Sequence, residues 1–305
     1  MDRRLRLVVV VLVAVALVAV GAFGVAVYGF LRPNPDSYAH TYEYRAYVQP
    51  TATLSNVTLY LPLPVENGTS PAGDALAGGS AAVTDAPPDW EFAVENTTYG
   101  PMLALRFDEL EPNYDTRPPP RPLTPGEGTA TPGLGPASGT GTRTPVTTLD
   151  YYLVGVRWAS DDPVDTRDPA GSEPVLSPRL NATTVECGEL EAPGATCRRF
   201  GTRYFLSYDA PANATADLLV TYEGRNEWFA GGWTGNSFEE SAGVAVRGGG
   251  PGWVAATGNE TVGVGAYRGA PDPAVVAGGA DAVGGTDAAH GASAAREAAV
   301  DGPGS

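Results

Sequence analysis

The segment Asn56–Val65 reads Asn-Val-Thr-Leu-Tyr-Leu-Pro-Leu-Pro-Val, with an aliphatic residue at every second position. Because successive side chains of a β-strand point to opposite faces, this alternation predicts a strand with one buried face. Asn56 falls on the polar face. Pro62 and Pro64 cannot donate hydrogen bonds to a neighbouring strand, so we expect either an edge strand or an early end to the pairing.

The same period of two recurs on both sides of this segment. Ser37–Gln49 alternates aromatic and aliphatic residues with polar ones. Further strands are predicted at Trp90–Glu95, Met102–Phe107, Thr147–Trp158, Thr183–Cys187, Arg198–Tyr208, Asp217–Tyr222, Gly243–Arg247 and Trp253–Thr257. Since turn signals separate these short strands and almost no helix is predicted among them, the fold class is all-β, and we expect an immunoglobulin-like β-sandwich.

Composition divides this part of the chain. Residues 36–115 form the predicted first half of the sandwich, and residues 147–257 form the second half. Residues 116–146 are rich in Pro, Gly and Thr, which predicts a linker or a long loop. Residues 258–305 are rich in Gly and Ala, and we expect a disordered tail. One sandwich built from both halves is favoured because so small a first half is marginal alone, with two small packed domains as the alternative.

An uncharged apolar run of 25 residues, Leu7–Leu31, precedes the strands. As an α-helix it would be about 37 Å long, against about 30 Å of bilayer hydrocarbon, which predicts a transmembrane helix. Three arginines lie within residues 1–6, whereas Arg32 alone follows the run directly. By the positive-inside rule the N-terminus is expected in the cytoplasm and the C-terminal domain outside the cell membrane. A cleaved signal peptide is the alternative, although its apolar core is usually about half as long.

Two further features are typical of an exported domain. Asn-x-Thr triplets, the acceptor pattern for N-linked glycans, outnumber what chance predicts, and all follow the apolar run. The six acceptors are Asn56, Asn67, Asn96, Asn181, Asn213 and Asn259. The two cysteines, Cys187 and Cys197, are expected to form a disulfide outside the membrane. Two free thiols or half of a zinc site are the alternatives, and zinc is disfavoured because both histidines lie far away in sequence.

The composition is acidic: 35 Asp and Glu residues oppose 19 basic residues, all of them Arg, for a net charge of −16. Lys and Ile are absent, and Gln occurs once. This vocabulary resembles that of proteins from extremely halophilic archaea, whose surfaces are acidic. Leu59–Pro64 and Tyr222–Asn236 also resemble segments of their membrane-anchored proteins without assigned function, so the resemblance implies no activity. The acidic surplus repels nucleic acid, and no nucleic-acid partner is expected.

Tyr222–Asn236 is the densest polar and aromatic stretch of the chain. It predicts a recognition loop in which two tryptophans offer apolar surface and three polar side chains offer hydrogen bonds to a protein or a glycan. The candidate residues are Arg225, Asn226, Glu227, Trp228 and Trp233. The alternative is a turn between strands whose tryptophans fill one end of the sandwich.

No constellation typical of catalysis or of cofactor binding is found in the sequence. The four aspartates within Asp161–Asp168 lack the spacing of an EF-hand loop, so no metal ligand is assigned. His40 falls in a predicted strand and His290 in the predicted tail, so neither is assigned as the base that a nucleophile needs.

We therefore expect a non-catalytic, single-pass membrane protein whose glycosylated domain serves envelope structure or recognition. Its expected partners are the lipid bilayer and an envelope protein or glycan. An extracytoplasmic hydrolase that uses carboxylates is the main alternative, with Glu223 and Glu227 as candidates. An assembly partner for another membrane protein is a third class.

Overall fold

The structure is a computed structural model that describes residues 3–80, 83–84, 87–117, 146–188, 194–249 and 252–270. Its helices are α1 (Arg3–Leu31) and α2 (Pro71–Ala77). Its strands are β1 (Asn34–Pro50), β2 (Leu54–Leu61), β3 (Leu63–Val65), β4 (Val83–Thr84), β5 (Glu91–Thr97), β6 (Gly100–Leu110), β7 (Asn113–Arg117), β8 (Val146–Asp150), β9 (Tyr152–Ser160), β10 (Val175–Ser177), β11 (Leu180–Val185), β12 (Thr196–Asp209), β13 (Thr215–Phe229), β14 (Trp233–Arg247) and β15 (Gly252–Gly265).

Eleven of these strands form one antiparallel sheet, so the all-β class is confirmed. Their order is β4-β9-β1-β13-β14-β15-β12-β2-β6-β5, with β11 attached to β12. Two small sheets pair β3 with β10 and β7 with β8. Because β1 lies between β9 and β13, strands from residues 36–115 and from residues 147–257 share one hydrogen-bonded sheet.

The sheet curls around a single apolar core until its two ends approach each other. Trp90, directly before β5, stacks on Phe107 of β6 at 4.9 Å between ring centroids and also contacts Tyr152 of β9 at 6.0 Å. The Tyr44 hydroxyl on β1 donates a hydrogen bond of 2.9 Å to the Pro62 carbonyl, which follows β2. Helix α2 contacts both β5 and β9. These contacts join strands that are far apart in the order of the sheet.

This strand order does not confirm an immunoglobulin-like sandwich, which is built from two separate sheets. The reason lies in strand length: β12 to β15 have 14 or 15 residues each, against a usual 5–6. Such strands can pair with a neighbour on each side over many residues. Their right-handed twist then bends the continuous sheet around the core.

The segment Asn56–Val65 divides at Pro62. Strand β2 pairs with β12 on one side and β6 on the other, and it ends at Leu61. Leu63–Val65 then forms β3, which pairs with β10 in a separate sheet. The early end of pairing is therefore confirmed for β2, which has a partner on each side, whereas Pro64 lies in β3, an edge strand of its two-stranded sheet.

Two predicted boundaries need correction. Strand β15 continues to Gly265, into the tail predicted from residue 258, because β12 and β14 pair with it on both sides. At the predicted linker 116–146, Arg117 pairs with Val146 at the ends of β7 and β8. The remainder of that linker, 118–145, and of that tail, 271–305, lies outside the described residues.

Helix α1 leads into the sheet almost directly, since only Arg32 and Pro33 separate it from β1. Its side chains are described from Leu12 onward, except Ala14. The large apolar side chains among them are exposed by between 39% and 73%. Within the part of the chain whose side chains are described, no helix is both long and apolar enough to cross a membrane.

Gly258 shows how closely the long strands pack. A Cβ atom at this position of β15 would overlap the ring of Phe200 on β12, and Phe200 is itself buried. We expect Gly258→Ala to lower the free energy of unfolding by about 1–3 kcal/mol, because an overpacked core must shift to accept the methyl group. Denaturant unfolding of the full chain in detergent measures this loss.

Gly188→Ala is the matched control, because no heavy atom lies within 4 Å of the Cβ added there. Its effect should stay within about 0.5 kcal/mol. Equal losses in the two variants would contradict the close packing of Gly258 on Phe200.

Candidate functional site

The candidate recognition residues lie in the paired strands of a β-hairpin, so the predicted loop conformation is wrong, whereas their role in recognition stays a prediction. Strand β13 continues to Phe229 and β14 begins at Trp233, so the turn contains only Ala230–Gly232. Burial alternates without a break along β13, although the buried positions include Gly224 and Asn226. These two residues hide the period of two in the sequence, because neither is apolar and bulky.

The two tryptophans of the hairpin have opposite environments. Trp228 is fully buried and meets the ring of Tyr38 edge to face at 6.5 Å. Its position fits the alternative in which tryptophan fills one end of the fold. Trp233 is 72% exposed and contacts Phe229 at 6.0 Å. Of the five candidate residues, Trp233 is therefore the one that offers a large apolar surface to solvent.

Arg225 lies on the outer face of β13 between Glu223 and Glu227. Its Nε donates to Glu223 at 3.0 Å, and its Nη1 donates to Glu227 at 3.3 Å. All three side chains are more than a quarter exposed, so each pair contributes about 1 kcal/mol or less to stability. The Arg225 guanidinium thus lies between Glu223 and Glu227, the two candidate carboxylates of a hydrolase. The three side chains form exposed ion pairs, which we call the exposed ladder.

Asn226 belongs to a buried polar row that crosses three strands. It lies opposite His40 of β1 and opposite Asn236 of β14. His40 Nδ1 is 2.7 Å from the Asn226 Oδ1, and the Asn226 Nδ2 donates to the Asn236 Oδ1 at 2.8 Å. Since His40 is buried in this row, it is a structural residue of the sheet.

The same polar row forms hydrogen bonds to the segment between β9 and β11, residues 161–179, and holds it against the inner face of the sheet. The Asn226 side chain accepts from the Val164 N–H at 2.9 Å and donates to the Val164 carbonyl at 2.8 Å. Thr166 donates to the Asn236 Oδ1 at 3.0 Å. The two amide side chains therefore act as the hydrogen-bonding partner that a neighbouring strand would otherwise supply. Val164 of this segment is accordingly buried.

The segment also brings Glu173 to the aromatic interior. The Tyr42 hydroxyl donates to the Glu173 carboxylate, and the Asp165 N–H donates to it at 2.6 Å. Tyr42 itself stacks between Trp158 at 5.2 Å and Tyr222 at 6.0 Å. Burial raises the pKa of Glu173, and burial and the neighbouring carboxylate raise that of Tyr42.

Glu240 and Glu260 form the most deeply buried ionic group among the described residues. They are directly opposite each other on β14 and β15, and both side chains are inaccessible to solvent. Arg179, at the end of the segment, pairs with both of them: Nη1 with Glu240, and Nη2 with the Glu260 Oε2 at 2.6 Å. Its guanidinium lies 4.4 Å from the ring centroid of Phe200. We call Arg179, Glu240 and Glu260 the buried ion cluster.

The two carboxylates of the buried ion cluster are held differently. Glu240 also accepts the Leu176 N–H at 2.6 Å, so both of its oxygens are bound. Burial nevertheless raises the pKa of Glu240 to about 7, since desolvation outweighs the attraction of Arg179 and Glu260 adds repulsion. The Glu260 Oε2 also accepts a hydrogen bond from the Arg198 Nη1 at 3.4 Å, whereas its Oε1 has no hydrogen-bond partner among the described residues.

A carboxyl group whose pKa is raised by burial is typical of acid–base catalysis. Here, however, Glu240 is 0% and Glu260 is 1% exposed, so a substrate has no contact with either. The arrangement instead binds residues 176–179 to the sheet. The sequence carries a signal for it: Glu240 shares the inward face of its strand with Phe238 and Ala242, where the period of two calls for an apolar residue.

Two of the aspartates within Asp161–Asp168 are bound to other groups of the protein. The Asp165 Oδ1 accepts the N–H groups of Arg167 at 3.0 Å and Asp168 at 3.1 Å. Asp168 pairs with Arg198 at 3.2 Å. No group of three or more side chains suited to a metal ion occurs in the described ranges. His290 lies outside them.

All six Asn residues of the predicted glycosylation triplets are exposed. Asn56, Asn67 and Asn181 adopt positive φ angles of 53°, 50° and 50°. Asn tolerates this left-handed conformation better than most residues, so these three positions also have a backbone reason to be Asn. In addition, the Asn56 Nδ2 donates to Asp209 at 2.7 Å. Glycosylation of the six residues stays a prediction.

The predicted disulfide is present. Cys187 and Cys197 are bonded, with 5.2 Å between their Cα atoms, and the bond joins the end of β11 to the start of β12. It closes a loop over ten positions of sequence separation, for which chain entropy gives a stabilisation of about 3 kcal/mol. The disulfide therefore fixes an edge of the sheet.

Comparisons with protein-family models, with curated proteins and with solved structures found no match to this chain.

Removal of the cation from the buried ion cluster tests its role in the fold. Arg179→Met leaves two buried carboxylates without their shared partner, and we expect a loss of about 3–5 kcal/mol in the free energy of unfolding. Denaturant unfolding measures the loss. Arg225→Met, which breaks the exposed ladder, is the control and should cost about 1 kcal/mol or less. Equal small losses would show that Arg179 does not hold the segment.

The raised pKa of Glu240 predicts a pH dependence of stability. The ordinary pKa of this carboxyl is 4.5, so between pH 4.5 and about 7 the folded protein keeps a proton that the unfolded chain has lost. Stability therefore falls as the pH rises through this window, by up to about 3 kcal/mol for this group. Glu240→Gln should flatten that part of the profile of unfolding free energy against pH. An unchanged slope would refute the assignment to Glu240.

Proposed function

We propose that this protein is a non-catalytic, single-pass membrane-anchored protein of the cell surface, whose β domain serves envelope structure or recognition. The observation that carries the proposal is the surface of α1. Its described large apolar side chains are exposed, and the apolar run of the sequence, Leu7–Leu31, covers 25 residues. A contiguous apolar surface of this kind needs an apolar surrounding, and the length suits a bilayer.

Charge supports an outward orientation of the β domain. Three arginines precede the apolar run, whereas the domain that follows carries most of the acidic surplus. The disulfide between Cys187 and Cys197 suits an oxidising compartment. The six exposed Asn residues are available to an N-linked glycan, which also belongs outside the cell.

The non-catalytic part of the proposal is supported by how the interior polar groups are used. The buried ion cluster and the row of His40, Asn226 and Asn236 form hydrogen bonds within the protein and face the core. Glu223 and Glu227 are bridged by Arg225. The opposed walls of the curled sheet enclose one core, and we propose that they provide the rigidity of a sandwich-like envelope domain.

Protease accessibility in intact cells tests the topology. Protease added outside should degrade the chain beyond Arg32 and leave an epitope fused before Met1 protected together with α1. The control is the same digestion after permeabilisation, in which the N-terminal epitope should also be lost. A β domain that resists protease in intact cells but not in permeabilised ones would contradict the proposed orientation.

The same cells test the envelope role. A cross-linker that does not cross membranes should join the full-length protein to an envelope protein or glycan. A chain whose β domain carries the destabilising Gly258→Ala exchange should lose that product, whereas Gly188→Ala should keep it. If an outward-facing β domain gives no cross-linked product, the envelope role is wrong although the topology is right.

A further inference from the structure

We propose that the turn of the β13–β14 hairpin and the C-terminal end of α1 form one surface that docks on the outer leaflet of the membrane and binds anionic lipid headgroups. We call this surface the docking tip; it consists of Phe30, Leu31, Arg32, Phe229, Gly231, Trp233 and Arg268. The inference rests on the proposed membrane anchor and adds to it a lipid-binding site on the β domain.

The hairpin turn packs directly against the last turn of α1. The rings of Phe30 and Phe229 meet edge to face with 5.6 Å between centroids. Gly231 has a φ angle of 73°, and a Cβ atom there would lie 2.7 Å from the Leu31 side chain. A larger residue would therefore push the hairpin away from the helix. Since Leu31 ends the apolar run, this contact holds the hairpin turn at the level where the hydrocarbon of the bilayer would end.

The position of the docking tip is also fixed from the other side. The Phe229 N–H donates to the Ser37 hydroxyl at 2.8 Å, which ties the hairpin to the start of β1. The Tyr38 hydroxyl donates to the Gly269 carbonyl at 3.2 Å. With only Arg32 and Pro33 between helix and strand, the β domain has little freedom to move away from the end of α1.

Trp233 gives the docking tip an exposed aromatic surface. It is 72% exposed although the ring of Phe229 lies beside it. Tryptophan is enriched where hydrocarbon meets headgroups, because its ring is apolar and its N–H can bond to a headgroup or to water. At the end of an apolar helix, such a side chain is placed to enter the interface of the bilayer.

Two arginines give the docking tip its affinity for anions. Arg32 and Arg268 line a cleft of about 660 Å³ between the helix end and the sheet, together with Leu31 and Pro33. Arg32 is oriented by Tyr28, whose hydroxyl accepts its Nη2 at 2.6 Å and whose ring lies 4.4 Å below the guanidinium. Neither arginine is paired with a carboxylate in the described part of the chain.

The combination of cationic and apolar groups indicates which ligand the docking tip binds. In a chain of net charge −16, several arginines of the sheet are paired with glutamates, as Arg45 is with Glu43 and Arg225 with Glu223. Arg32 and Arg268 instead leave their guanidinium groups available next to an apolar cleft. A lipid headgroup offers a phosphate for bidentate hydrogen bonds and, directly beside it, apolar chains for Trp233 and Leu31.

Quenching of tryptophan fluorescence tests the docking. The full-length protein is placed in phosphatidylglycerol and phosphatidylcholine vesicles whose acyl chains carry bromine near the headgroup. Helix α1 contains no tryptophan, so any quenching reports on the β domain. We expect Trp233→Phe to remove most of the quenching. Trp253→Phe should leave it intact, because the partly exposed Trp253 lies near the far end of β15, whereas Gly265 of that strand pairs beside the hairpin turn.

The cationic cleft is tested with bromine on one lipid at a time. In equal mixtures, brominated phosphatidylglycerol should quench the wild type more strongly than brominated phosphatidylcholine. In the variant Arg32→Gln/Arg268→Gln the two should quench equally, because the preference for the anionic headgroup is lost. Equal quenching in the wild type would overturn the headgroup site.

Co-flotation of the protein with the vesicles distinguishes a failure of the docking tip from a failure of the membrane anchor. Protein that floats with the vesicles but shows no quenching dependent on Trp233 would overturn the docking tip and leave the anchor intact, and would instead leave that surface open to a protein partner. Protein that does not float would overturn the proposed anchor and, with it, this inference.

Discussion

The packing of the inner segment against the sheet depends on the guanidinium of Arg179, which lies between Glu240 and Glu260. Taking ionisable groups out of water is expensive, and the group is stable only because Arg179 lies within hydrogen-bonding distance of both carboxyl groups. The two carboxylates belong to adjacent strands in the middle of the sheet, whereas the arginine belongs to the segment that lies inside it. One ionic contact thereby fixes how that segment fills the curl. The cost of breaking it is greater than its net contribution, because the remaining charges would stay buried.

The register of the long strands aligns several buried polar groups in two rows. Tyr44, Tyr222, Glu240 and Glu260 follow one another across β1, β13, β14 and β15, and Arg198 of β12 continues the row. A parallel row contains His40, Asn226 and Asn236. Because a shift of one residue would turn each row towards solvent, these groups specify the register more sharply than an apolar face alone. Curl, register and the inner segment are thus consequences of the same cross-strand contacts.

The alternation of Asn56–Val65 and Ser37–Gln49 was sufficient to predict the strands, their buried faces and the break at Pro62. The spacing of Cys187 and Cys197, together with the expected position outside the membrane, was sufficient to predict the disulfide. Sequence reasoning failed along β13 and β14, where Gly224, Asn226 and Glu240 occupy inward positions. A glycine there is required by the ring of Phe238, and the polar residues are required by partners that are distant in sequence. Such partners become neighbours only through the curl of the sheet, which local periodicity does not encode.

The placement of chemistry within the molecule follows from these constraints. Glu240 and Glu173, whose pKa values are raised by burial, lie inside, where they form hydrogen bonds within the protein. The outer face of β13 carries exposed ion pairs, which hydrate the surface and contribute little energy. The docking tip differs from both regions, since it combines an exposed tryptophan, two arginines without a described carboxylate partner and the end of an apolar helix. Among the described residues, the fold thus closes its interior and leaves this apolar, cationic end uncovered, which under the proposed function is also where the chain would leave the membrane.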